Sequence, residues 1–229
     1  MTGAKNRINE LDFLRGLAII LMIYFHLIYD LREFYDYPFV YSEGINYYVG
    51  KCSALLFITL TGISCSFSRS NIKRGLRILL YAFLITFVTY WLFPESYINF
   101  GILHFLGVSI LLHMYFKKIQ PLALFLLGTL TIIVGIIFAK IQVTTGFLFP
   151  LGLLTSVYSS LDYYPLFPYF GFFLYGIAFK KVLYPYNQSL IAYPLKNNFI
   201  SKLGRHSLFI YLVHQPLLLG ILYILHSLK

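Results

Sequence analysis

The chain has 229 residues, 59% of them hydrophobic and 11% charged, at a mean hydropathy of +0.75. Soluble domains carry about 25% charged residues, and a chain this apolar would leave more hydrophobic surface in water than a soluble monomer tolerates. The 18 Lys and Arg against eight Asp and Glu give a formal charge of +10. In a membrane protein that excess speaks to topology rather than to nucleic acid, because basic residues gather on the cytoplasmic side.

Eight apolar segments follow one another along the chain: 13–28, 47–67, 76–93, 98–116, 122–139, 143–157, 166–183 and 208–228. Most approach the roughly 20 residues that cross a hydrocarbon core of about 30 Å. The sixth is short and holds Thr144, Thr145, Gly146, Pro150 and Gly152, so it is expected to be re-entrant or interfacial. The fold class predicted is an all-α integral membrane protein, a bundle of about seven transmembrane helices plus that segment, forming one transmembrane domain over 1–229. No small-residue cleavage site follows an early apolar stretch, so the first helix is expected to stay as an anchor. Cys52 and Cys65, 13 residues apart in one predicted helix, cannot pair with each other.

With the N-terminus in the cytoplasm, the inner side receives Lys5, Arg7, Arg69, Lys73, Arg74, Arg77, Lys117, Lys118, Lys180, Lys181, Lys196, Lys202 and Arg205. The outer side receives Arg32, Lys51, Lys140 and Lys229. The positive-inside rule selects this arrangement. It places the protein in the cell membrane as a multi-pass chain with no nucleic-acid partner.

Ionisable groups at membrane depth are costly and mark function by default. In the first helix, Arg15 and His26 stand eleven positions apart, about three turns and about 16 Å along the axis. Asp12 lies three before Arg15 and Asp30 four after His26, both same-face spacings. One polar seam therefore runs the length of the helix. Asp30 is expected to orient His26 and raise its basicity, although a buried histidine cross-linking helices fits the same pattern. His104 in the fourth span is a second candidate, placed to meet His26 or to bond a neighbouring helix. His214, just before Pro216, reads as a satisfied structural histidine. Arg69, Lys73, Arg74 and Arg77 form an inner basic loop able to hold a phosphorylated ligand or anionic lipid. Asp162 is expected to cap the span that begins near Leu166. No Walker motif, dinucleotide turn or zinc spacing is present in the sequence, so no metal is expected.

The stretch Asn9-Glu10-Leu11-Asp12-Phe13-Leu14-Arg15-Gly16-Leu17-Ala18, followed by Met22, Phe25-His26 and Tyr29-Asp30-Leu31, resembles the opening of the heparan-α-glucosaminide N-acetyltransferase catalytic-domain family. The likeness is to its small prokaryotic members. Four later blocks are similar in order: 56–64, Phe100 to His104, Asp162 to Pro168, and Gly204 to Pro216. The wider transmembrane acyltransferase superfamily carries an Arg, ten residues and a His in its first helix, the spacing of Arg15 and His26. The resemblance implies His26 as catalytic base or acyl carrier and Arg15 as its support. It implies cytosolic acetyl-CoA as donor; the mechanism expected from the residues docks its phosphates on Arg69, Lys73, Arg74 and Arg77 and has His104 donate to the oxyanion. An extracytoplasmic sugar or glycan is the implied acceptor, and a homodimer is compatible with the family. The chain is much shorter than the lysosomal enzyme, so that enzyme's own acceptor does not carry over. A proton-coupled transporter or flippase using His26, Asp30 and His104 as a relay is the competing expectation.

Overall fold

The computed structural model describes residues 8–191 and 198–228; Lys5, Arg7, Lys196 and Lys229 of the charge count lie outside them. Eight α-helices carry the described chain: α1 (Asn9–Tyr35), α2 (Gly44–Cys65), α3 (Asn71–Leu92), α4 (Ile102–Phe116), α5 (Pro121–Phe138), α6 (Leu166–Leu183), α7 (Phe199–Arg205) and α8 (Ser207–Ser227). Six of them, all but α4 and α7, are long and apolar enough to cross a membrane. The protein is an all-α, multi-pass integral membrane protein.

The expected fourth span begins later than its hydrophobicity suggests. Residues 98–101 are non-helical, and α4 has 15 residues, about 22 Å. The expected sixth segment forms a six-residue 3-10 helix, Gly146–Leu151, closed by Gly152 at φ 106. It is too short to cross. The apolar run 143–157 is interrupted because Pro150 lacks an amide donor and Gly152 sits in the left-handed region that glycine occupies without steric cost. The short helix α7 was not anticipated; Asn198 caps it by accepting from the Ile200 amide at 2.8 Å.

The chain forms two compact units. One holds the described residues up to Phe57 and from Tyr186 onward; the other holds Ile58–Pro185. In the first unit, α1 and α7 cross at backbone distance. A Cβ on Gly16 would lie 1.9 Å from the Ile200 carbonyl oxygen, and one on Gly204 would lie 1.8 Å from that of Asp12. Glu10 is 4% exposed and accepts from the Leu190 amide at 2.7 Å and from the Ser189 hydroxyl. The segment preceding α7 is thereby tied to the start of α1. Ser53 of α2 donates to the Ala18 carbonyl at 2.9 Å.

In the second unit the same device recurs between α2 and α6. A Cβ on Gly62 would meet the Phe173 carbonyl oxygen at 2.3 Å, and one on Gly176 would meet that of Thr59 at 2.2 Å. Without a hydrophobic drive between helices in lipid, small residues that allow close backbone packing supply the association. Gly128 against Gly171, and Gly75 against Gly107, extend the pattern to α5–α6 and α3–α4.

Asp162 does not cap α6. Its Oδ2 accepts from the Ile102 amide at 2.9 Å, so it caps the start of α4 from a loop 60 residues away. The reason is local: Pro165 and Pro168 flank the start of α6, and proline has no amide hydrogen to donate to a capping carboxylate. Gly101 makes room, since a Cβ there would stand 2.3 Å from that carboxylate oxygen. Further bonds hold the two loops together: the Leu161 amide to Ser96 O at 2.8 Å, the Tyr164 amide to Phe100 O at 3.0 Å, and Tyr158 Oη to Asn99 Oδ1 at 2.6 Å. Burial pushes the Tyr158 hydroxyl up to about 12, so at neutral pH it stays protonated and donates. Replacing Asp162 by Ala is expected to lower stability by about 1 kcal/mol, the usual cost of a lost cap. A thermal melt in detergent unchanged from the wild type would refute this.

Candidate functional site

In the first unit, α1 and α8 bring a polar group together. The rings of His26 and His214 lie 4.7 Å apart between centroids, at 66°. Phe25 packs edge-on against His26 at 5.8 Å. Asp30, 0% exposed, accepts from Gln215 Nε2 at 2.6 Å. The expected pairing of Asp30 with His26 is replaced by this bond: α8 supplies a donor to the carboxylate. Asp30 Oδ2 and His26 Nδ1 are both buried without a hydrogen-bond partner. The α1 spacing placed the two residues on one face, but which group each one meets was decided by α8. His214, expected from the sequence to be a satisfied structural histidine, and Gln215 therefore join His26 and Asp30 in one polar group. The Pro216 beside them was the available signal.

Arg15 lies on the same continuous helix as His26, and its Nη1 donates to Asp12 Oδ1 at 2.8 Å. The Arg–Asp pair is held where α7 crosses, with Gly204 against the Asp12 carbonyl.

His104 belongs to the second unit, where it is 3% exposed between Phe83 and Phe100. The Thr86 hydroxyl donates to the Ile98 carbonyl at 2.6 Å and lies 3.2 Å from His104 Nε2. A hydroxyl has one hydrogen, so Nε2–H of the neutral ring donates to Thr86. The buried Nδ1, which has no partner, then carries a lone pair. In that tautomer His104 has no N–H left for an oxyanion, and its evident work is to anchor the loop before α4.

The second unit also contains a basic cleft of about 630 Å³ where α2, α4 and α6 end and α3 begins. Arg69, Lys117, Lys118, Lys180 and Lys181 line it, with Ser66, Ser68, Ser70, Asn71 and His113. Of the four basic residues expected to bind the donor, only Arg69 is in the lining; Lys73, Arg74 and Arg77 are not among the lining residues. Lys73, Arg74 and Arg77 share one face of α3, and Arg74 stands close enough to Cys65 and His113 of the lining to act on both electrostatically. The lysine pairs ending α4 and α6, far apart in sequence, come to one place instead. His113 is 4% exposed, with Nδ1 3.1 Å from Asn71 Nδ2, and Asn71 Nδ2 donates to the Cys65 carbonyl at 2.9 Å. An amide nitrogen only donates, so Nδ1 is the acceptor and the neutral ring carries its hydrogen on Nε2. That nitrogen is buried without a partner in the wall of the cleft.

Six helices long and apolar enough to cross a membrane, a histidine–carboxylate cluster where α1 meets α8, and a polybasic cleft in the second unit define a multi-pass integral membrane protein with two polar sites. The family model for the catalytic region of heparan-alpha-glucosaminide N-acetyltransferase matches residues 7–216, and the chain belongs to this family of membrane acetyltransferases. No curated protein and no solved structure matches it.

Proposed function

We propose that the protein moves an acetyl group from cytosolic acetyl-CoA to a hydroxyl or amine of an extracytoplasmic acceptor, a sugar or glycan. The observation that carries this reading is the His26 cluster: a half-buried imidazole in the first helix, beside a second imidazole and a carboxylate whose position is fixed by Gln215. His26 acts as base or acyl carrier, Asp30 holds negative charge near it, and Arg15 with Asp12 fixes the other end of the seam. His104 serves as a positioning residue.

The CoA phosphates and adenylate dock in the basic cleft. Five cationic side chains and three serines match the several negative charges of CoA, and lysine is a common phosphate binder. All five cations of that cleft gather at one end of their unit, and the positive-inside rule assigns such an end to the cytoplasm. Arg69 keeps its expected role, and Lys73, Arg74 and Arg77 serve as an outer basic field that attracts the anionic donor.

Calorimetry of acetyl-CoA binding to the purified protein in detergent tests this. The expected result is micromolar affinity that weakens as salt rises. In a Lys117, Lys118, Lys180 and Lys181 quadruple Ala variant it falls by at least about tenfold, about 1.4 kcal/mol. No binding to a well-folded sample, or equal binding by the variant, would sink the donor assignment.

A further inference from the structure

We infer that His214 is the base that takes the acceptor's proton while His26 carries the acetyl group, so that the transfer site is a pair of histidines with divided roles. The inference rests on the acetyltransferase reading above and deepens it.

The starting point is the hydrogen position on His214. Its Nδ1 lies 2.6 Å from the Tyr211 carbonyl. A carbonyl oxygen only accepts, so Nδ1 carries the hydrogen and Nε2 of the neutral ring presents a lone pair. That Nε2 is buried and has no hydrogen-bond partner, and the residue is 8% exposed. Around it, His26 Nδ1, Asp30 Oδ2 and Gln215 Oε1 are also buried without partners. A buried polar atom left without a partner is costly, and four such atoms on two packed helices mark a place for a polar guest.

The ring contact then assigns the roles. When a neutral imidazole is acylated, one nitrogen holds the acetyl group and the other holds the ring's hydrogen, so the acetylated ring presents no lone pair to take the acceptor's proton. With the centroids 4.7 Å apart, the second imidazole is within reach of a nucleophile attacking an acetyl group on the first. In the first half-reaction a ring nitrogen of His26 attacks the thioester carbonyl carbon. The N–C bond forms, the C–S bond breaks, and CoA departs as the thiolate. In the second half-reaction the acceptor oxygen or nitrogen attacks the same carbon. Its proton passes to His214 Nε2, the N–C bond breaks, and the electron pair returns to His26. Transfer of that proton to the thiolate through solvent closes the cycle as acetylated acceptor plus CoA thiol.

The test uses the intact protein in detergent with radiolabelled acetyl-CoA. His214→Asn keeps an N–H near the Nδ1 position, able to donate to the Tyr211 carbonyl, and removes Nε2. The expected result is that wild type and His214→Asn both acquire acid-labile label and exchange free CoA with acetyl-CoA, whereas His26→Ala does neither. After removal of CoA, the label on His214→Asn decays roughly 100-fold more slowly than on wild type, in water and in glucosamine alike, as for loss of a general base. Acetyl-CoA affinity at the basic cleft serves as the folding control, with His214→Gln as a second variant. Equal decay rates, or loss of label formation in folded His214→Asn, overturn the inference. Acetyl-CoA binding without any labelled wild-type enzyme overturns it too while leaving the acetyltransferase reading intact. Failure of wild type to bind acetyl-CoA at all removes that reading first.

Discussion

Replacing His26 by Ala is expected to lower acetyl-CoA turnover by at least about 1,000-fold, since a positioned base contributes about 10²–10⁴ and loss of an acyl carrier costs more. The affinity for acetyl-CoA is expected to stay at its wild-type value, because the donor's charged groups are assigned to the lysines of the cleft rather than to α1. His26→Gln should be as inactive: the amide retains hydrogen-bonding capacity but has no basic nitrogen. The check is release of CoA thiol in the presence of a panel of sugar amines, run beside calorimetry on the same samples. Normal turnover in His26→Ala would remove His26 from the chemistry and with it the polar seam of α1 as the transfer path. Loss of turnover together with loss of folded protein would show a structural histidine instead.

Gly176→Leu is expected to be the most damaging single change away from the site. The backbone of α6 approaches α2 so closely that even a Cβ at 176 would stand 2.2 Å from the Thr59 carbonyl oxygen. The partner atom is backbone and cannot move aside without separating the helices. Overpacking in a well-packed core costs about 1–3 kcal/mol when side chains can adjust; here a helix must shift, and the expected loss is at the upper end or beyond. Gly220 in α8 provides the control, because nothing lies within 4 Å of a Cβ built there. Gly220→Ala is expected to be neutral or to stabilise the helix by up to about 1 kcal/mol. Paired thermal melts in detergent decide the matter: a Gly176→Leu protein that melts with the wild type would disprove the close crossing.

Hydrophobic length fixed the class of protein and the approximate place of each crossing, because an apolar segment of about 20 residues has one low-energy home. Helical spacing likewise placed Arg15 and His26 on one seam of a helix that the structure keeps continuous over 27 residues. Charge asymmetry put Arg69 with the lysines of the later loops, and all five cationic residues of the cleft do share one end of their unit. These properties are local or additive along the chain, so a one-dimensional string carries them.

Tertiary structure alone decided who meets whom. Asp30 was expected to bond a residue four positions away and bonds Gln215, 185 positions on. Asp162 was expected to start its own helix and starts α4 instead. The basic cleft draws on the ends of α4 and α6 rather than on the whole basic run opening α3. Periodicity states the face on which a side chain lies. It says nothing of the group opposite, which depends on helix crossings set by Gly16, Gly62, Gly176 and Gly204, where backbones touch without an intervening side chain.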